Sequence, residues 1–113
     1  MIYYPDAWAI LKITSNSTDE VTFKILAGWY GGFARGDSWK LNSGIESFKI
    51  EAEYISFVGY SGSTYRCSFK TEGFTRYSEQ IYNSFVDEIG PTGTIEHVRF
   101  EDVKSLLPKG TVK

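Results

Sequence analysis

The chain carries one thiol and one imidazole, Cys67 and His97. A metal centre needs three or four nitrogen, sulfur or carboxylate ligands, so this pair predicts none. Cys67 alternates with Tyr65 and Phe69 in a strand-like segment, which favours a buried structural thiol over a nucleophile. Residues 59–63 lack the final glycine of a hydrolase nucleophile elbow, and no phosphate-binding glycine loop occurs. The sequence therefore predicts a protein that is not an enzyme and holds no metal or cofactor.

Residues 28–39 concentrate the side chains that could recognise a partner. This segment holds four glycines together with four aromatic residues, an arginine and an aspartate. Glycine permits positive φ or close approach of another surface, and rigid aromatics beside arginine are typical of binding hot spots. In the alternative interpretation the tryptophans belong to the core and the glycines serve bulges and turns. The predicted binding residues are Trp29, Tyr30, Phe33, Arg35, Asp37 and Trp39.

Charge argues against a duplex nucleic-acid partner. Twelve Lys and Arg residues oppose fourteen Asp and Glu residues, for a formal net charge of −2, and neither sign forms a block. Duplex-binding proteins usually present a basic face, because neutralised phosphates supply much of their affinity. A small β-barrel that stacks single-stranded bases needs only a local basic groove, so that alternative stays open. The side chains available for such a groove are Arg35, Lys40, Arg66 and Lys70 beside Tyr30, Trp39 and Tyr65.

The elements that must position these residues are mainly strands. An alternation of larger apolar residues with other residues over positions 21–30 has the period of two expected for a strand with one core face. The polar run at 15–19 fits a hairpin loop that joins this strand to another at 7–14. Further strands are predicted at 38–41, 45–50, 54–60, 64–69 and 94–100, with turns near 42–44, 51–53 and 61–63.

The period changes after Gly73. Four apolar residues then recur at spacings of four, which predicts an amphipathic helix over residues 75–89 with Thr75 as its cap. Gly90 and Pro91 end it, and Asp102 is predicted to cap a short helical turn at 103–107. The four residues are Tyr77, Ile81, Phe85 and Ile89, with Phe74, Ser78, Tyr82 and Val86 on the adjacent ridge.

These elements predict a single α+β domain over residues 1–113. The fold is predominantly antiparallel, with six or seven strands in a small barrel or curved sheet and one amphipathic helix at about 75–89. Aromatic residues make up 17% of the chain, and flat side chains suit a pleated surface. One cysteine forbids an internal disulfide, and the first twenty residues lack the pattern of a signal peptide. No apolar run approaches membrane-spanning length, so we expect a cytoplasmic protein with no membrane partner.

Four stretches resemble a group of small, uncharacterised phage and prophage proteins. They read DAWAILKI at 6–13, GWYGG at 28–32, GDSWKLNSGI at 36–45 and GYSGSTYRC at 59–67. The resemblance covers about residues 6–67 and brings no assigned activity. It implies a phage accessory protein made in a bacterial cytoplasm.

Three functions follow as hypotheses. The first is a non-enzymatic module that binds a host or phage protein through residues 28–39. The second is the single-stranded nucleic-acid binder described above, and the third is a structural component of the virion. Each of these functions is compatible with a homodimer.

Overall fold

The computed structural model describes residues 1–31 and 36–108, and in these ranges eight β-strands form two four-stranded sheets. The first sheet has the order β1-β7-β6-β5 and the second the order β4-β3-β2-β8. Neighbouring strands are antiparallel, except that β1 runs parallel to β7. The strands are β1 (Ile2–Tyr3), β2 (Ala7–Ser15), β3 (Val21–Trp29), β4 (Ser38–Leu41), β5 (Ile45–Glu51), β6 (Tyr54–Gly59), β7 (Thr64–Ser68) and β8 (Gly93–Val98).

Two helices follow the first seven strands in the described part of the chain. Helix α1 spans Arg76–Ile89, and helix α2 spans Phe100–Val103, with single 3₁₀ turns beside them. Thr75 caps α1 as predicted: its hydroxyl accepts the Ser78 N–H at 3.0 Å, and the Ser78 hydroxyl accepts the Thr75 N–H at 2.8 Å. This reciprocal capping box satisfies two backbone donors at the helix start.

The predicted α+β class with mostly antiparallel strands is confirmed, but the finer prediction is wrong in three respects. The described residues form eight strands rather than six or seven, and the strands make two stacked sheets rather than a barrel or a single curved sheet. The strand missed by sequence, β1, has two residues and pairs with β7, far away in the chain. In addition, the second helix begins at Phe100, where a strand was predicted to end, so it starts three residues before the helical turn predicted at 103–107, and Arg99 rather than Asp102 is its N-cap residue.

The core lies between the two sheets and is built from alternate residues of their strands. The Trp8 indole N–H donates to the Ser68 carbonyl at 2.7 Å, and the Trp8 ring packs 5.5 Å from that of Phe57. Helix α2 covers one side of the core, because the Phe100 ring packs edge-on against the rings of Phe48 and Phe57, with centroids 5.4 and 5.9 Å apart. The other core residues are Ile10, Ile25, Ala27, Ile45, Ile55, Tyr65, Cys67, Val103 and Leu107.

Helix α1 forms a third layer on the outer face of the second sheet. Ala9, Leu11 and Leu26 alternate with the core residues of their strands, yet they are buried as well. Strands β2 and β3 are therefore covered on both faces, by the first sheet on one side and α1 on the other. Strand β4 is the edge strand beside β3, and its Trp39 ring lies 5.6 Å from the Phe85 ring of α1.

Candidate protein-binding surface

The ends of the predicted recognition segment are held together by backbone contacts. Gly31 and Gly36 approach so closely that a Cβ on Gly31 would collide with the Gly36 carbonyl, and Gly36 has a φ of +64°. The Gly31 N–H donates to Asp37 Oδ1 at 3.3 Å, and the Tyr30 N–H donates to Asp6 Oδ2 at 2.8 Å. The glycines at these two positions therefore meet a close approach and a positive φ, which agree both with a recognition loop and with the alternative in which the glycines serve turns.

Trp29 packs against the amino-terminal segment of the chain. Its indole N–H donates to the Tyr4 carbonyl at 3.0 Å, and its ring meets the Tyr3 ring edge-on at 6.2 Å. The side chain is half-buried and joins the margin of the core. These contacts give Trp29 a packing role at the base of the segment.

Tyr30, Asp37 and Trp39 present side chains to solvent. Tyr30 is 63% exposed, and Trp39 is 36% exposed with its ring 5.6 Å from that of Phe85 in α1. Asp37 is exposed and its carboxylate holds the Gly31 amide described above. The two remaining predicted binding residues, Phe33 and Arg35, lie outside the described residues.

Three residues of α1 extend this surface. Arg76, Tyr77 and Gln80 line a cavity of about 340 Å³ together with Asp37. Tyr77, which the sequence placed on the apolar ridge of the helix, is 37% exposed. We call Tyr30, Asp37, Trp39, Arg76, Tyr77 and Gln80 the aromatic surface.

A contact between β3 and the start of α1 fixes the position of the helix. A Cβ on Gly28 would lie 2.9 Å from Thr75 Cγ2, 3.0 Å from Thr75 Oγ1 and 3.2 Å from Ser78 Oγ. The capping box therefore sits directly on the strand, and Ser78 is the buried residue of α1. Because this contact brings the first turns of α1 beside β4, Tyr77 and Gln80 can share a cavity with Asp37. Amphipathic periodicity alone does not carry this information, so sequence reasoning missed the helical part of the surface.

The side chains considered for a nucleic-acid groove are divided between the two sheets. Tyr65 is 2% exposed in the core, and burial, with smaller contributions from Tyr3 and Cys67, raises its pKa to about 12. Arg66 lies on the first sheet and pairs with Glu51 at 2.8 Å. Lys40 belongs to the second sheet, where its Nζ lies 5.2 Å from the centre of the Tyr3 ring. Arg66 and Lys40 therefore do not line one groove with an exposed Tyr65.

Cys67 and His97 lie in different layers. Cys67 is buried between the sheets, where desolvation raises the pKa of its thiol. His97 pairs in register with Leu11 on the α1 side of the second sheet, and its ring lies 4.6 Å from that of Phe74. Burial lowers the pKa of His97, and its Nε2 is buried without a hydrogen-bond partner among the described residues. The geometry provides no thiol–imidazole pair.

Metal-ligating side chains do not cluster in the part of the chain that the structure describes: no three His, Cys, Asp or Glu residues are grouped to hold an ion. Neither helix in the described ranges is long and apolar enough to cross a membrane.

Comparisons with protein-family models, curated proteins and solved structures found no match for this chain. The resemblance to phage proteins therefore stays a prediction from the sequence.

Proposed function

We propose that this protein is a non-enzymatic protein-binding module that contacts its partner through the aromatic surface. The observation that carries the proposal is a concavity of about 340 Å³ lined by Asp37, Arg76, Tyr77 and Gln80, with the exposed rings of Tyr30 and Trp39 in the segment 28–39 to which Asp37 belongs. Exposed aromatic residues grouped with charged side chains are typical of protein interfaces. The sequence resemblance adds the expectation that the partner is a host or phage protein in a bacterial cytoplasm.

The side chains of this surface are partly ordered before a partner arrives. Trp39 rests against Phe85, and Asp37 accepts the Gly31 amide, so both have contacts that restrict their rotamers. Preordered side chains lose less entropy on binding, which favours affinity. Tyr30 and Tyr77 have two side-chain torsions each and offer a large contact area at low entropic cost.

The charges on the aromatic surface are placed so that they can orient a bound partner. Asp37 and Arg76 carry opposite charges on the wall of one cavity, with the amide of Gln80 beside them. Opposite charges placed together discriminate between correct and incorrect docking, because a partner must match both signs. The aromatic rings provide apolar contact with the partner, and Asp37 and Arg76 determine how the partner is oriented.

Affinity measurements test this assignment. The tagged protein captures partners from a bacterial lysate, and the recovered partner is then titrated with native protein and with Tyr30→Ala, Asp37→Ala and Tyr77→Ala. Truncation of a hot-spot residue costs about 2 kcal/mol, so we expect about a 30-fold loss of affinity for at least one tyrosine variant. A double variant, Phe33→Ala with Arg35→Ala, tests the part of the prediction that rests on sequence alone.

The matched control is Tyr54→Ala. Tyr54 is a tyrosine of the first sheet with 42% exposure and lies away from α1. We expect this variant to bind the partner as the native protein does. Unchanged affinity in all three variants of the aromatic surface would refute the assignment, and salt-sensitive quenching of tryptophan fluorescence by oligonucleotides would favour the nucleic-acid alternative.

A further inference from the structure

The outer face of the first sheet carries a polar cavity of about 350 Å³. Its polar side chains come from β5, β6 and β7, at positions that alternate with the core residues of these strands. The cavity shares no residue with the aromatic surface. The polar side chains are those of Ser47, Lys49, Glu51, Ser56, Thr64 and Arg66, and we call this site the first-sheet cavity.

Strand register places two cations on either side of a serine in this cavity. Lys49 of β5 pairs with Ser56 of β6, and Ser56 in turn pairs with Arg66 of β7, so the three residues form one row across the sheet. Directly opposed residues on one face of a sheet have Cβ atoms about 4.5–5.5 Å apart. The row therefore brings an ammonium group, a hydroxyl group and a guanidinium group to one place.

Three hydroxyl groups of the cavity are free to bind a ligand. Ser47 and Thr64 both pair with Val58, so their side chains form the next row beside Ser56. Ser56 itself is only 8% exposed. In the described part of the chain none of these three hydroxyls makes a hydrogen bond. A buried hydroxyl gains from a bound acceptor, because a polar group without a partner is costly to bury.

The two cations are incompletely paired by Glu51, the acid that lines the cavity. Arg66 Nη2 donates to Glu51 Oε2 at 2.8 Å, whereas Lys49 Nζ lies 3.8 Å from Oε1, which is too far for a hydrogen bond. The Nε of Arg66 is buried without a hydrogen-bond partner among the described residues. Two positive charges and one negative charge leave the lining with a net charge of +1. Hydrogen-bond donors and positive charge are therefore in excess.

These properties favour a phosphate monoester as the ligand. Its phosphate group is an anion whose oxygens accept several hydrogen bonds, and arginine and lysine bind it through charge-assisted bonds. The cavity volume lies at the lower end of the range of about 300–1,000 Å³ for small-molecule sites. Half-buried Val58 offers apolar contact to a few carbon atoms of the ligand. A nucleic-acid strand would need a basic groove that follows its backbone, which one cavity with a net charge of +1 does not provide.

We infer that the first-sheet cavity binds a small phosphorylated molecule, whose phosphate lies over Ser56 between Lys49 and Arg66. The organic part of the ligand then contacts Val58. Glu51 has two opposing effects, because its carboxylate holds the Arg66 guanidinium in place while its charge repels the phosphate. Removing the charge of Glu51 should therefore strengthen binding, whereas removing the charge of a cation should weaken it.

Titrations of the full chain, labelled with ¹⁵N, test the class of ligand. The probes are glycerol phosphate, inorganic phosphate and glycerol, with a short single-stranded oligonucleotide as the macromolecular alternative. We expect glycerol phosphate to shift the amide signals of Ser56, Thr64 and Arg66 in a saturable way, inorganic phosphate to bind more weakly, and glycerol to have no effect. The absence of saturable shifts, equal affinity for inorganic phosphate, or saturation by the oligonucleotide alone would overturn the inference.

Single-charge variants test the roles of the lining residues. Lys49→Gln should weaken binding of glycerol phosphate about 5-fold and Glu51→Gln should strengthen it about 5-fold, because a unit charge about 4 Å away changes affinity by about that factor in water. Lys104→Gln is the matched control, since Lys104 also pairs with a glutamate, Glu101 at 3.0 Å, but does not line the cavity. Thermal unfolding verifies that the variants fold. Changes of the same sign in Lys49→Gln and Glu51→Gln, or equal weakening by Lys104→Gln and Lys49→Gln, would contradict the assignment.

Discussion

Replacing Gly28 by alanine should move α1 away from the second sheet. The added Cβ would lie 2.9 Å from Thr75 Cγ2 and within 3.2 Å of Ser78 Oγ, and both atoms belong to the capping box rather than to a flexible side-chain end. Overpacking of this kind costs about 1–3 kcal/mol, whereas removing a glycine from a strand returns about 0.5–1 kcal/mol. The two ranges together give a net loss of about 0–2.5 kcal/mol, and because the added Cβ would lie under 3.0 Å from Thr75 Cγ2 we expect Gly28→Ala to lower the free energy of unfolding by about 1–2 kcal/mol.

Chemical denaturation and thermal unfolding measure this effect. For a domain of this size about 1 kcal/mol corresponds to about 4 °C in Tm, so the melting temperature should fall by about 4–8 °C. Thr75→Ser removes the methyl group nearest the new Cβ and retains a good capping hydroxyl. The double variant should be more stable than the sum of the two single changes indicates, by about 0.5–1 kcal/mol. A neutral or stabilising Gly28→Ala, or strictly additive losses, would refute the proposed contact.

Three further predictions concern buried groups. Trp8→Phe should lower the free energy of unfolding by about 2–4 kcal/mol in denaturant titrations, because it removes the 2.7 Å bond to the Ser68 carbonyl and leaves a cavity. Cys67 should react with a thiol reagent only as fast as the protein unfolds, since its thiol is buried and its pKa raised; rapid reaction of the native protein would contradict this. Burial lowers the pKa of His97, so the unfolded chain binds that proton more tightly, and stability should fall as the pH drops below about 6.5. His97→Gln should flatten the denaturation free energy between about pH 7 and pH 5, and an unchanged slope would exclude this role.

Local signals predicted the elements well. Thr75 was identified as the cap of the long helix, and α1 begins at the next residue and ends at Ile89 as predicted. The turn at 51–53 was placed between two predicted strands although it contains no Gly, Pro or Asn, and Ala52 there has a φ of 47°. Periodicity and capping are properties of neighbouring residues, so the sequence carries them directly.

Features that depend on distant contacts were missed. Strand β1 has two residues, too few for any period, and forms because Ile2 and Tyr3 pair with Thr64 and Tyr65. Phe100 reads as the end of a strand but begins α2, where burial against Phe57 outweighs its strand propensity. The stacking of two sheets is likewise a property of the whole chain, because a period of two is the same in a barrel and in a sandwich.

Recognition of the proposed binding surface had the same limit. The composition of residues 28–39 drew attention to Tyr30, Asp37 and Trp39, which the structure shows exposed. It could not reveal Arg76 and Tyr77, because these residues reach the surface only through the packing of α1 on β3. Glycine composition was therefore informative, although Gly28 serves the docking of a helix rather than a turn.

The aromatic surface depends on how α1 lies against the second sheet. At the start of the helix, Thr75 and Ser78 contact Gly28 of β3, and this contact holds Tyr77 and Gln80 beside Asp37. Further along, the Tyr82 hydroxyl accepts the His97 N–H at 3.2 Å, so β8 also holds the helix. Gly28→Ala should therefore perturb the indole signal of Trp39 and weaken binding at the aromatic surface, because it acts on the contact at the start of α1 while the contact with β8 remains.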